Sequence, residues 1–410
     1  MIALMVAALA AVAGCDVRTP ALDPSACTGE TWPPEPARAA DDVVEALSVA
    51  TFLGDARPPT DDARLVRQRL SELGVRHVSD QSKPDPAIVR DLSAAGIRFR
   101  LGVDVLGPYL QSVLADPTGV DGIQVDFAAS DFNADLVALQ DFCDPLFSAV
   151  KAARAGALAV VGPDVEIIHV GDSRFTLGAI DFSSCVDVGI FHRPLTAVPP
   201  GDPNSLDNLR AMQSTGVGSH PHLLGFHGYS TATGDARAVS EAVQAKYVPR
   251  LALEASNRNH VRVFAGTLVD HASDIRDAVG NQGLIRRDGT PKPVFRALAD
   301  LIDILADPGD PIVTHGLAYR IDGAPPELHH ALLEKRDGTL LLALWLETVS
   351  TDADLSKPLT LHFPAPATWV RQYDPRSAAT ATVISRNARQ LSVMVSDRVT
   401  LLQIAGCGHP

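Results

Sequence analysis

Between residues 45 and 311, short apolar runs alternate with amphipathic stretches. The runs fall at 74–78, 99–103, 122–127, 157–162, 186–192, 223–226 and 261–264. Compact apolar runs of this kind suit strands buried on both faces of a parallel sheet. The segments between them read as helices. In 62–73, Leu65, Val66, Leu70 and Leu73 share one face, and Gly74 follows as a stop signal. Residues 240–255 place Val243, Tyr247, Leu251 and Leu253 at helical spacing, and 295–305 form another helix between Pro291, Pro293 and Pro308. This alternation, sustained over roughly 250 residues, predicts a (β/α)8 TIM barrel in the α/β class rather than an open sheet. No glycine-rich phosphate loop follows the first strand, which argues against dinucleotide binding.

After Pro311 the period changes to two. Residues 331–335, 339–347, 359–363, 369–373 and 398–404 read as strands, with Asp337-Gly338 as a hairpin turn. A small all-β sandwich over 312–410 is the expectation.

The N-terminus carries a different signal. Residues 2–12 are an unbroken apolar run, too short to span a bilayer and of the length of a signal-peptide core. The run leads into Val12-Ala13-Gly14-Cys15, which resembles the lipobox of bacterial lipoproteins. The resemblance implies acylation of Cys15 and an extracytoplasmic protein anchored by lipid to the bacterial cell envelope. Residues 16–44, rich in Pro, Ala, Asp and Thr toward their start, read as a flexible tether. The formal net charge of −14 argues against nucleic acid as a partner, because phosphates would be repelled. In an oxidising compartment Cys27, Cys143, Cys185 and Cys407 allow three pairings. The expected one joins Cys143 to Cys185 and Cys27 to Cys407. Their spacing matches no zinc site, and no metal or cofactor is expected.

The stretch from Val239 to Leu305 carries a family resemblance. It contains Val239-Ser240-Glu241-Ala242-Val243, Leu268-Val269-Asp270, Gly283-Leu284-Ile285 and Asp288-Gly289-Thr290-Pro291-Lys292-Pro293. Leu344-Trp345 and Tyr373-Asp374-Pro375 fit the same pattern. These residues resemble the secreted retaining glycosidases of the large cellulase-like clan, whose (β/α)8 barrel precedes a β-sandwich.

Such enzymes need two carboxylates about 5–5.5 Å apart, and in this clan they are glutamates ending strands 4 and 7. Matched to the strand 4 motif, Ser130 stands where Asn holds the sugar and Asp131 where the acid/base Glu stands. Asp131 is shorter by a methylene, and a misplacement near 1 Å costs about 100-fold. Matched to the strand 7 motif, Gly225-Phe226-His227-Gly228-Tyr229 puts Phe226 at the nucleophile position. A phenyl ring cannot attack an anomeric carbon. His192, His227 and Tyr229 are the remaining candidate pocket residues, and Gly266-Thr267 replace the usual aromatic–acid pair of strand 8.

Three functions compete. The first is a non-catalytic barrel that binds a polysaccharide, an oligosaccharide or an envelope partner. The second is an active glycosidase using Asp131 with a second carboxylate such as Asp126, Asp172 or Asp270. The third is a metalloenzyme built on His220, His222 and His227.

Overall fold

The computed structural model describes residues 32–55, 62–125, 136–154, 157–162, 165–166, 181–192, 197–202, 206, 217–226, 228–373 and 381–405. Eight parallel strands form a nearly closed barrel: β1 (Leu47–Thr51), β2 (His77–Asp80), β3 (Arg98–Val103), β4 (Val120–Val125), β5 (Ala159–Val161), β6 (Gly189–His192), β7 (His222–Phe226) and β8 (Arg262–Val269). Neighbours run in the order β5-β4-β3-β2-β1-β8-β7-β6. Gly162 N–H donates to Val188 O at 2.9 Å, and Val161 bridges Val188, so β5 returns against the entry to β6.

Alternation along each strand sorts the side chains. Val49, Val78, Leu101, Ile123, Val160, Leu224 and Val263 pack outward into one core with the helices. Their neighbours Val161, Val188, Ile190, Leu223 and Phe264 form a separate apolar cluster inside the barrel. The helices expected from periodicity are present as α2 (Ala63–Leu73), α6 (Glu241–Asn257) and α7 (Pro293–Leu305). Asp62 caps α2, accepting from the N–H of Arg64 and Leu65, and Gly74 ends it at φ 78°. Helices α3 (Pro86–Ala94), α4 (Pro108–Ala115) and α5 (Leu136–Arg154) lie between the earlier strands. Strand β1 went unmarked in the pattern because α1 (Ala40–Ala46) runs directly into it, with Leu47 as the cap. Cys143 of α5 and Cys185 are joined by a disulfide, as expected. Cys15, Cys27 and Cys407 lie outside the described residues. No helix among the described residues is long and apolar enough to cross a membrane.

After β9 (Gly283–Ile285), which pairs with β8, the chain builds the C-terminal all-β domain. Its strands are β10 (Arg320–Asp322), β11 (Leu328–Glu334), β12 (Leu340–Leu346), β13 (Ser356–Tyr373), β14 (Ala381–Ser396) and β15 (Thr400–Ala405). Two strands expected at 359–363 and 369–373 are one strand, β13, with a register shift between His362 and Ala367. Pro364 and Pro366 sit at that shift, where the ladder needs no donor. The first residues of β14 are mostly exposed, which removed the alternation that would have marked it.

Residues 35–39 are not part of a flexible tether. Glu35–Pro36 pairs with Gly316–Leu317, and Arg38–Ala39 adds a parallel edge to β11. Strands of two residues complete a sheet edge without a core of their own, so no periodicity announced them.

Strand β12 is buried on both faces. Leu340, Leu342, Leu344 and Leu346 face the core of the β domain, while Leu341, Ala343 and Trp345 pack into the barrel core. Helix α6 meets the β domain with Lys246, Arg250 and Glu254, four residues apart and almost fully buried. Lys246 Nζ reaches Asp397 and Asp354, each at 3.0 Å, and the carbonyls of Thr351 and Ala353. Arg250 pairs with Glu347 at 2.8 Å. Burying charges this way holds only while every partner is present, which ties the barrel to its neighbour.

Candidate functional site

The barrel interior differs from end to end. At the N-terminal end, His77 of β2 contacts Asp121 of β4 and Glu45 of α1, each at 2.8 Å. Arg262 of β8 donates to the same Asp121 at 2.9 Å. Arg76 completes the cluster through Asp41 at 2.7 Å and Glu45 at 3.1 Å. The hydrogen bond from His77, followed by its charge and that of Arg76, holds Glu45 down to about 2 against the effect of burial. These polar side chains have partners, and together they plug the base of the barrel.

Further up, the interior positions of β2, β3 and β4 carry Ser79, Arg100 and Gln124. Ser79 pairs with Arg100 and Arg100 with Gly122 across the sheet, and Gln124 stands opposite Gly102. Register therefore puts Arg100 and Gln124 on the inward face, opposite to Phe99, Leu101, Ile123 and Val125. The Arg100 guanidinium is 5 % exposed and donates to Ser79 Oγ at 2.9 Å. It also lies 4.0 Å over the Phe264 ring, a stacking that orients its planar fork. Gln124 is fully buried, and neither its amide nitrogen nor its amide oxygen has a hydrogen-bond partner. A small cleft opens above, lined by Ala50, Thr51, Phe52, Ser79, Gln81, Arg100 and Phe264. Ala50, Thr51, Phe52, Ser79 and Gln81 lie at or just past the C-terminal ends of β1 and β2, the face where barrels keep their chemistry, while Arg100 and Phe264 come from deeper in β3 and β8.

Among the described residues, Asp80, Asp104 and Asp270 at this end are engaged in structural contacts. Asp80, which ends β2, accepts from Thr51 Oγ1, Leu53 N–H and Ser82, and burial raises its pKa. Asp104 follows β3 and pairs with Lys83. Asp270 follows β8, accepts from Gly283 N–H at 2.7 Å and pairs with Lys292 at 2.8 Å. Burial raises the pKa of Asp270 and lowers that of Lys292, and each partner opposes the other's shift. Asp270 thus fixes the β8–β9–α7 junction.

Of the residues expected to form the pocket, Phe226 ends β7, with its backbone in register with Phe264. His192 ends β6. Ser130, Asp131, Asp126, Asp172 and His227 lie outside the described residues. Tyr229 does not belong to the described lining of the cleft. Its ring lies 4.9 Å from Tyr247 of α6 and its hydroxyl donates to Val198 O at 3.3 Å, so it serves packing. Gly266 has φ 113°, and a Cβ there would stand 2.8 Å from Gln282 O. The backbone itself therefore rejects an aromatic platform at that point of β8.

Of the three histidines of the metalloenzyme reading, His227 lies outside the described residues. His220 and His222 sit at the N-terminal end of β7, and His220 bonds Ser183 O at 3.0 Å. A group with ligand atoms within 4.8 Å of one another does exist: Glu254, His329 and Glu347. Arg258 and Trp345 Nε1 engage Glu254, while Arg250, Trp345 Nε1 and Gly201 N–H engage Glu347. That group locks α6 to the β domain.

Solved structures similar to this one share its architecture. A family 39 glycoside hydrolase from Bacteroides cellulosilyticus WH2 matches with a TM-score of 0.60 at 13% identity, over 88% of this chain and 82% of that one. A glucosidase from Croceicoccus marinus matches at 0.58 and 14%, over 91% and 98%. A monomeric beta-xylosidase from Caulobacter crescentus CB15 matches at 0.55 and 14%, over 91% and 97%. The fold is the architecture of those structures, a (β/α)8 barrel followed by an all-β domain. No protein-family model and no curated protein sequence matches the chain. The barrel and its β domain were thus both foreseen, from the strand–helix alternation and the change of period after Pro311. Arg100 and Gln124 were not foreseen as site residues, although two-residue alternation in 99–103 and 122–125 separates them from their apolar neighbours.

Proposed function

We propose that this chain is a lipid-anchored, extracytoplasmic protein whose glycosidase-like barrel binds a saccharide or an envelope partner and has lost most or all hydrolytic turnover. The observation that carries the reading is the residue ending β7. The motif match puts Phe226, the last residue of β7, where such a barrel needs its nucleophilic carboxylate, and removing a principal catalytic group costs on the order of 10⁴–10⁶ in turnover. The engagement of Asp80, Asp104 and Asp270 in structural contacts supports it further, because a retaining mechanism needs two free carboxylates across the mouth. A glycosidase fold with a polar cleft at the C-terminal face supports a saccharide as ligand. Asp131 is the one acid proposed to survive from the catalytic pair, with Ser130, His192 and His227 as its surroundings.

Hydrolysis of a panel of 4-nitrophenyl glycosides by the wild type and by Asp131→Asn tests the loss of turnover. Rates at the uncatalysed background for both proteins are expected. Hydrolysis that Asp131→Asn abolishes would show an active glycosidase instead. For the anchor, Cys15→Ser should move the protein from the membrane fraction to the soluble fraction, and an unchanged distribution would refute lipidation at Cys15.

A further inference from the structure

Gln124 has no structural employment. It is fully buried on the inward face of β4, opposite Gly102, and both heteroatoms of its amide are without partners. A buried amide with neither atom satisfied is strongly disfavoured, and an apolar residue of the same size would remove the cost. Ile190, Leu223 and Phe264, in the same interior, show that apolar residues fill this barrel readily. The amide is therefore retained for something that visits it.

The chemistry of that visitor follows from which atoms are unpaired. The amide nitrogen donates two hydrogen bonds and the oxygen only accepts. A carboxylate would satisfy the nitrogen and leave the oxygen orphaned. A pair of adjacent hydroxyls satisfies both, one accepting from the nitrogen and the other donating to the oxygen. We propose that Gln124 is a ligand contact of the barrel interior and reads a vicinal hydroxyl pair of a saccharide; this rests on the saccharide-binding reading above. Arg100, which donates to Ser79 and lies over the Phe264 ring, belongs to the lining of the small cleft on the same inward face. The residue sets which ring orientation fits, because only one placement aligns both hydroxyls with a fixed amide.

The experiment pairs Gln124→Leu with wild type. Thermal melting and calorimetric titration are run with xylotriose, cellotriose and laminaritriose. Gln124→Leu should melt above wild type without sugar, and should bind whichever trisaccharide wild type binds at least about tenfold more weakly. Gln124→Leu melting below wild type would mean the amide has a structural partner, which overturns the proposal. A higher melting temperature with unchanged affinity would mean that the amide holds an ordered water only, which also overturns it. Either of these results leaves saccharide binding standing. If wild type binds none of the three, while the chain is folded by its melting transition, the saccharide reading fails and this proposal with it. Gln124→Glu provides a second check: it keeps the acceptor, removes the donor, and should weaken binding without the gain in melting temperature.

Discussion

The two ends of the barrel interior hold polar side chains under opposite terms. At the N-terminal end His77, Asp121, Glu45 and Arg262 satisfy one another through contacts of 2.8–2.9 Å. Three residues beyond Asp121 on β4, Gln124 is fully buried and has no partner for either amide atom. Barrels commonly keep stability at the first face and chemistry at the second. Here the distinction is visible in hydrogen-bond accounting alone, with no ligand needed to see it. A satisfied buried cluster reports what the fold requires, and an unsatisfied buried group reports what the fold tolerates for another purpose.

If the N-terminal end is the stabilising one, the largest losses should come from it. Cys185 lies just before β6 enters the barrel, and its disulfide to Cys143 closes a loop with a sequence separation of 42. Removing both thiols with Cys143→Ser and Cys185→Ser should cost about 4 kcal/mol on the chain-entropy estimate. Urea denaturation measures it, and a change under 1 kcal/mol would remove the disulfide from this account. Asp121→Ala should follow at about 3 kcal/mol, because it strands His77 and Arg262 together. The same change should leave saccharide affinity unmoved, which separates the ends directly.

Much of this could be read before any coordinates. The strand run at 99–103, the described part of the run at 122–127, the helical segments from 62 and 240, and the Asp337-Gly338 turn recur in the structure because local rules decide them. Strand β1 and the short edge at 38–39 were not legible, since their partners are distant in sequence and neither has a turn before it. The site was read less well for a physical reason. Matching to motifs looks for carboxylates, whereas the residues that distinguish this mouth are a guanidinium on Phe264 and an idle amide. Tyr229 looked like a pocket residue because Gly-Tyr marks strand 7, yet its neighbour Tyr247 of α6 takes the ring.

A smaller effect is pH-dependent. The folded pKa of Glu45 is about 2 against an ordinary 4.5, so its contribution is full above that ordinary value and is lost as pH falls toward 2. Glu45 is partly exposed, and after screening the loss should be roughly 1 kcal/mol. Melting across that acid range, compared with Glu45→Gln, measures it; a variant with the same acid slope as wild type would contradict the assignment. At the barrel–β-domain contact the sign reverses. The hydrogen bond that His329 donates to the Glu254 carboxylate raises the pKa of His329, so that contribution is present at lower pH and is lost as pH rises through the raised value. Removing the histidine with His329→Asn should flatten the stability profile on that side, and an unchanged profile would show that the pair does not titrate there.

The account stands most directly on the sign of two changes measured side by side. Urea midpoints of Asp121→Asn and Gln124→Leu, at one pH and without ligand, should move in opposite directions, the first downward and the second upward by about 1 kcal/mol. Midpoints that both fall would mean that the two ends of the barrel are held alike, and that the idle amide of Gln124 has a role in folding after all.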